Sequence, residues 1–217
     1  MSKIDFFKTV DMSTMAQLAE YERMLSPAQA VAQGGIANPE SLDYLIEPPQ
    51  KIDHSRSAWA IPRMLFIENY GWSVPNLKLL HGICEFAGDA TIVVPASGKG
   101  FLPALINAKR GTDNCECFDV EVSEKAFVKT TELDAANYNF SDSEDKVLLL
   151  SWIHPDQSWL LDKCLAEFKG TKYVFIGEIE GCTAFDSEMV GWTEVETIEI
   201  PRFIGLHDCA ILYRRGV

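Results

Sequence analysis

The chain has 217 residues, with 32 acidic side chains against 19 basic ones and a formal net charge of −13. That length suits one large α/β domain, or a domain with an extension. The acidic excess repels phosphate backbones, and the basic pairs Lys109-Arg110 and Arg214-Arg215 are too small to make a patch, so nucleic acid is not an expected partner. No run of eighteen apolar residues exists, and the opening Met-Ser-Lys-Ile-Asp-Phe-Phe-Lys has no signal-peptide core. The expectation is a cytoplasmic protein without a membrane partner. Cysteines at 84, 115, 117, 164, 182 and 209 lack the paired spacing of a zinc ribbon or finger, so no metal is expected and the thiols are expected to be reduced.

In chain order, residues 1–56 read as a helical extension. Met15, Leu18, Ala19 and Met24 fall at helical spacing, Ser26-Pro27 ends that helix, and Gly34-Gly35 and Pro48-Pro49 break the rest of the extension into short pieces. The extension either covers one edge of a sheet or acts as a lid. From residue 57 to 217 the pattern becomes that of an α/β domain. Ser57 to Asn69 is apolar enough for a buried helix. Tyr70-Gly71-Trp72-Ser73-Val74-Pro75-Asn76 interrupts it, and Leu77, Leu79, Leu80, Ile83 and Phe86 mark the next helix, ending at Gly88. Trp72 has two open readings, a plug in the core or a surface on which a flat ligand stacks. Its place in the loop ahead of the first strand predicts a position at a cleft, not fully buried.

Ala90 to Val94 is a short β-branched run of the kind a strand buried on both faces needs. Ser97-Gly98-Lys99-Gly100 comes next as a turn without bulk, and Phe101 to Arg110 is a helix with Pro103 in its first turn and Gly111 as its C-terminal cap. Such a helix points free N–H groups at the turn. The second strand ends in Phe118-Asp119, where an acid beside a glycine turn suits a ribose diol. The eight-residue P-loop pattern is absent, and Pro103 occupies the third glycine position of a dinucleotide fingerprint.

Ser123 to Glu144 is polar and irregular, with one short strand or helix expected between Ala126 and Leu133. Lys146 to Trp152 is a strand, and Asp156 to Phe168 an amphipathic helix with Trp159, Leu160, Cys164, Leu165 and Phe168 on one side. Lys172 to Glu178 is the next strand. Thr193 to Ile200 and Cys209 to Arg214 are the last two, joined by a link too short for a helical crossover and therefore antiparallel. The sum is a Rossmann-like, mostly parallel sheet with helices on both faces and a C-terminal antiparallel hairpin. Ligands of such sheets bind beyond the carboxyl ends of the strands. Pro95 to Gly100, Asp119, Ser151 to Asp156 and Gly177 to Thr183 are therefore expected to converge on one cleft. His154 is the first candidate for a proton acceptor there, since imidazoles ordinarily titrate near neutrality, and His207 beside Asp208 the second. A hydrogen-bonding loop histidine is the competing reading for each. Glu178 and Glu180 are candidates for holding a cationic substrate.

Val93-Val94-Pro95-Ala96-Ser97-Gly98-Lys99-Gly100, the strand-end Asp119, Ser151-Trp152-Ile153-His154-Pro155 and the terminal hairpin resemble motifs of class I S-adenosylmethionine-dependent methyltransferases. The resemblance spans roughly residues 57–215. It is strongest to small uncharacterised members with a Tyr-x-Trp-x-x-Pro loop before the first strand and a Gly-Glu-x-x-Gly-Cys-Thr turn after the fifth, here Tyr70 to Pro75 and Gly177 to Thr183. It implies a seven-stranded sheet with the seventh strand antiparallel, and S-adenosylmethionine as cofactor on Ala96, Ser97, Gly98, Gly100, Asp119, Ser151 and Trp152. Trp72, Glu178 and Glu180 are left for the substrate. The chain departs from the family at Val94, where an acid is usual, and at Ala96, the first glycine of the turn. Ser151 to His154 lacks the amide and first proline of an Asn/Asp-Pro-Pro-Tyr turn, so an exocyclic base amine is not the expected target. A methyltransferase acting on a small molecule or protein is the leading reading. A non-catalytic binding or structural protein on the same fold is the alternative, and Pro103 with the antiparallel ending disfavours a nicotinamide-dependent oxidoreductase.

Overall fold

The structure, a computed structural model, describes residues 66–68, 70–179, 181–185, 190–200 and 206–216. The extension expected over residues 1–56, most of the helix expected over 57–69, and Glu180 lie outside the described residues. The elements that position the site are α1 (Leu77–Ala87), β1 (Ile92–Pro95), α2 (Phe101–Arg110), β2 (Cys115–Asp119), β3 (Thr130–Glu132), β4 (Val147–Ser151), α3 (Ser158–Glu167), β5 (Lys172–Glu178), β6 (Trp192–Glu199) and β7 (Asp208–Arg215). Among the described residues the sheet has seven strands in the order β3-β2-β1-β4-β5-β7-β6. β1 to β5 pair in parallel, β7 runs antiparallel to β5, and β6 antiparallel to β7. This is the Rossmann-like sheet with its closing antiparallel hairpin that the strand and loop lengths require.

Two cores arise from the alternation of side chains along buried strands. Val147 and Leu149 of β4, with Ile92 and Val94 of β1, face α1 and α2. Leu148, Leu150 and Val93 face the opposite way, onto Leu160, Leu161 and Cys164 of α3. Caps fix where the helices begin and end. Asn76 accepts the Leu79 N–H at 2.7 Å through its side-chain oxygen, satisfying an orphan donor of α1, and its amide nitrogen donates to the Glu199 carbonyl of β6. Gly111 closes α2, and Arg110 in the last turn donates to the carbonyls of Gly88 and Ala90.

The sequence expectation for α3 needs correcting. His154 caps a single 3₁₀ turn, Pro155–Gln157, so the α-helix starts only at Ser158. In that phase Leu160, Leu161, Cys164 and Leu165 form the buried stripe, and Trp159 stays 49% exposed. β3 fills the expected short element after Asp119, and β6 is the outer strand on the other side. In β6 a register shift between Glu194 and Glu196 leaves Val195 as an exposed bulge residue.

All six cysteines are free thiols. Cys115 and Cys117 share the α2 face of β2, as alternation requires, and burial pushes the thiols of Cys115 and Cys164 up to about 12 and raises Cys117 further. Cys182 is exposed. In the native protein a disulfide-exchange reagent should therefore modify Cys182 first, with Cys115, Cys117 and Cys164 reacting only as the protein opens. After unfolding without reductant, six thiols should titrate. A count of four or fewer would reveal a disulfide.

Candidate functional site

At the carboxyl end of β1 the chain turns sharply through Ala96-Ser97-Gly98-Lys99-Gly100. Ala96 sits at φ 50, a left-handed conformation that costs a residue with a Cβ about 1–2 kcal/mol. The alanine thus carries a backbone shape that glycine adopts freely. The turn is held by the end of β2. The Ser97 N–H donates to the Phe118 carbonyl at 3.1 Å, and the Gly98 N–H donates to Asp119 Oδ2 at 2.8 Å. Asp119 Oδ1 accepts from the Glu121 N–H at 3.2 Å. Gly98, at φ 56, is built differently from its neighbour: a Cβ there would meet nothing within 4 Å, whereas one on Gly100 would strike Val128. Gly98 leaves open space over the turn, and Gly100 makes room for packing.

That space is a cavity of about 270 Å³, lined by Trp72, Ala96, Gly98, Asp119, Ser151, Trp152, His154, Trp159 and others. A smaller one of about 80 Å³, which includes Ser97 and Lys99, shares Trp72, Ala96, Gly98 and Ser151 with it. Gly100 lines neither. The end of β4 supplies the facing wall. Ser151 Oγ lies 3.1 Å from Ser73 Oγ, tying β4 to the Trp72 loop, and Trp152 takes a positive φ of 55 while its N–H donates to the Ile176 carbonyl at 2.8 Å. Trp72 and Trp152 stack with centroids 5.4 Å apart and planes at 21°. Trp72, 48% exposed, lies at the cleft as its loop position predicts. His154 borders the cavity, and its Nδ1 lies 3.4 Å from both the Asp156 N–H nitrogen and Asp156 Oδ2.

Three of the four expected segments converge here, and the fourth does not. Gly177 to Thr183 folds back on itself. Glu178 is only 2% exposed, and its carboxylate accepts from the Cys182 N–H at 2.8 Å and the His207 N–H at 2.7 Å. Burial alone would raise this carboxyl; the two N–H groups outweigh it and hold Glu178 below the usual carboxylate range. Gly181 is required because a Cβ there would lie 2.6 Å from Glu178 Cβ. Thr183 Oγ1 bridges the Glu178 N–H and carbonyl, and the Ala184 N–H donates to the Ile153 carbonyl, so the turn braces the wall behind His154. Glu178 is therefore an internal acceptor, away from the cavity lining. His207, with its ring exposed and Nδ1 3.9 Å from Glu178 Oε1, also lies outside that lining.

Sequence reasoning missed Val120, Leu133, Asp134, Ala135, Gln157 and Trp159, all of which line the cavity. The strand-end rule would have found Leu133 to Ala135 had β3 been fixed in place. Asp134 also carries a local signal, since its Oδ1 accepts the Ala136 N–H at 2.8 Å as the cap of a 3₁₀ turn. Among the described residues no cluster of three His, Cys, Asp or Glu side chains is placed to hold a metal, and no helix is long and apolar enough to cross a membrane.

No protein family matches the chain by sequence, and no curated protein does. Solved structures similar to it include methyltransferases. 1,6-Didemethyltoxoflavin-N1-methyltransferase from Burkholderia thailandensis, solved with bound 1,6-didemethyltoxoflavin and S-adenosylhomocysteine, is 15% identical over 64% of this chain and 76% of that one, with a TM-score of 0.48. Magnesium protoporphyrin IX methyltransferase from Synechocystis PCC 6803, solved with bound SAM, is 9% identical over 63% and 78%, with a TM-score of 0.47. The 23S rRNA methyltransferase ErmE is 13% identical over 66% and 69%, with a TM-score of 0.46. The chain has a Rossmann-like fold, a mostly parallel seven-stranded sheet closed by an antiparallel hairpin. In that fold the cavity occupies the cleft beyond the carboxyl ends of β1, β2 and β4.

Proposed function

We propose that this chain is an S-adenosylmethionine-dependent methyltransferase acting on a small molecule or protein. The observation that carries the reading is the open space over Gly98, bordered by an Asp119 carboxylate pinned beside it. Such a cradle accepts the body of a nucleoside against the backbone, while each Asp119 oxygen, with one N–H already bound, retains a lone pair for a ribose hydroxyl. Ala96, Trp152 and Ser151 complete the turn and the facing wall. Asp134, Leu133 and Ala135 offer an acceptor and an apolar flank. When bound, the cofactor would supply an electrophilic sulfonium methyl, whose carbon–sulfur electron pair would stay on the leaving sulfur.

The protein's part is to align the acceptor and take its proton. We assign the proton to His154. For Nε2 to accept it, Nδ1 must carry its hydrogen toward Asp156 Oδ2; with Nδ1 accepting from the Asp156 N–H instead, Nε2 is already protonated. Asp156 is thus the residue that selects between the two states.

A second reading, a non-catalytic binding protein on this fold, is favoured by Val94, a buried apolar side chain where the family carries an acid. One experiment separates the two. At about a hundredfold over its dissociation constant, S-adenosylmethionine should stabilise the native state by roughly 2.7 kcal/mol, raising the melting point by about 5–10 °C. S-adenosylhomocysteine should act similarly and a nicotinamide dinucleotide should not. A protein unmoved by all three at millimolar concentration is no methyltransferase, and the second reading would then stand.

A further inference from the structure

The two cavities are separated by very little. Trp72 and Ser151 line both, so these side chains stand as the partition between them, with Ser73 on the smaller side and Trp152 on the larger. At about 270 Å³ the larger cavity falls just short of the roughly 300–1,000 Å³ of pockets that take small molecules, and the smaller one joins it only if the partition withdraws. Ser97 lines the smaller cavity, and its Oγ is buried with no hydrogen-bond partner among the described residues, so that space borders an unmet polar group.

The partition hangs on a short piece of chain whose ends are firmly held. Tyr70 is buried against Phe66, Phe101 and Phe127, with ring centroids at 5.2, 4.8 and 6.0 Å, and Val74 is buried on the other side. Just upstream, Lys99 Nζ donates to the Glu68 carbonyl, which ties this stretch to the glycine turn. Between the two anchors, Gly71 sits at φ 147, a conformation that residues with a Cβ rarely adopt. An added Cβ there would meet nothing within 4 Å, so the glycine serves torsion and not space. Trp72 and Ser73 are then fastened across the cleft to the end of β4, by the Ser73–Ser151 hydroxyl pair at 3.1 Å and by the stack of Trp72 on Trp152. One neutral hydrogen bond and one ring pair are modest contacts beside the core packing that holds the ends.

We infer that Gly71-Trp72-Ser73 is a flap, hinged at Gly71 and latched by the Ser73–Ser151 hydroxyl pair, which closes the smaller cavity off from the larger and opens to join them. What the opening admits rests on the methyltransferase reading. The flap itself rests on hinge, latch and partition alone.

The stacked indoles report the flap directly. Trp72 and Trp152 held face to face give a coupled circular-dichroism signal, isolated as the difference between each protein and its Trp72→Phe counterpart. In ligand-free Ser73→Ala that signal should fall and acrylamide should quench Trp72 more strongly, the ratio of open to closed flap rising about fivefold for the loss of one neutral hydrogen bond. The melting point should drop by no more than about 2–4 °C. Gly71→Ala should shift both signals the same way, since alanine disfavours the hinge torsion of the closed flap. A staple gives the converse: Ser73→Cys with Ser151→Cys, in a Cys182→Ser background because Cys182 is exposed, should keep the coupled signal once oxidised and bind S-adenosylhomocysteine only after reduction. A lowered melting point in Ser73→Ala with both tryptophan signals unchanged would overturn the inference, leaving the hydroxyl pair as a structural bond only. S-adenosylhomocysteine entering the oxidised staple as readily as the reduced one would overturn it too. An opened flap in Ser73→Ala, in a protein that S-adenosylhomocysteine does not bind, would keep the flap and remove the methyltransferase reading instead.

Discussion

Glu178→Ala should lower stability by about 3 kcal/mol or more, and the melting point by roughly 6–12 °C. The substitution strands two part-buried backbone donors, the N–H groups of Cys182 and His207, around a side chain that is itself buried, and each donor left without a partner away from water costs about 1–3 kcal/mol. It also empties the space that Gly181 exists to leave. Glu178→Gln keeps one acceptor oxygen and should fall between the alanine variant and wild type. Acid provides the same test without mutation. The folded-state carboxyl titrates below its unfolded value, so the stability these bonds contribute is fully present above the ordinary carboxylate range and disappears as pH falls through the lowered value. The difference in stability between wild type and Glu178→Ala, measured by urea titration from pH 7 downward, should shrink in that acidic window. A difference that stays constant to pH 3, or one below 1 kcal/mol at pH 7, would show that the carboxylate is not what holds the turn.

On the proposed function, Asp119→Ala should weaken S-adenosylmethionine at least a hundredfold, about 2.7 kcal/mol, because the carboxylate that would meet the ribose diol also fixes the Gly98 peptide. Its effect on the ligand-free protein should be small, about 1 kcal/mol, since the Gly98 and Glu121 N–H groups it releases lie at the surface, where water replaces the carboxylate. The pairing of a large ligand effect with a small stability effect is the diagnostic feature. Asp119→Asn, which keeps one acceptor, should lose less. Titration calorimetry of the three proteins measures this directly, and affinity within threefold of wild type in Asp119→Ala would mean that the ribose is held elsewhere.

The fold was legible in the sequence wherever burial forces a pattern. Val147 to Leu150 and Tyr173 to Ile176 lie in a sheet covered on both faces, so continuous apolar runs are the only sequences that fit, and loop length alone made the last two strands antiparallel. The cavity lining was legible where chain geometry places it, at Gly98, Asp119, Trp152 and His154, each at or just beyond the end of a strand. It was illegible where identity and orientation part company. Glu178 reads as a strand-end acid facing a ligand, yet its carboxylate turns inward because the next turn offers it two N–H donors, a relation spread over 29 residues between Glu178 and His207. Trp159 reads as a core residue until one 3₁₀ turn, capped by His154, rotates the helix that carries it. Asp134 was hidden because β3 is only three residues long, too short for alternation to register.

The bulge in β6 bears on how the molecules behave in company. An outer strand is an unfinished hydrogen-bond ladder, and a second chain that matched its spacing would add itself to the sheet and expose a fresh strand in turn. Here Glu194, Glu196 and Glu199 lie along that strand, and the bulge at Val195 breaks the even spacing that an approaching strand would have to match. Collisions on this side bring like charges together over a misfitted ladder. The glutamates and the bulge together oppose growth of the sheet from molecule to molecule along this strand.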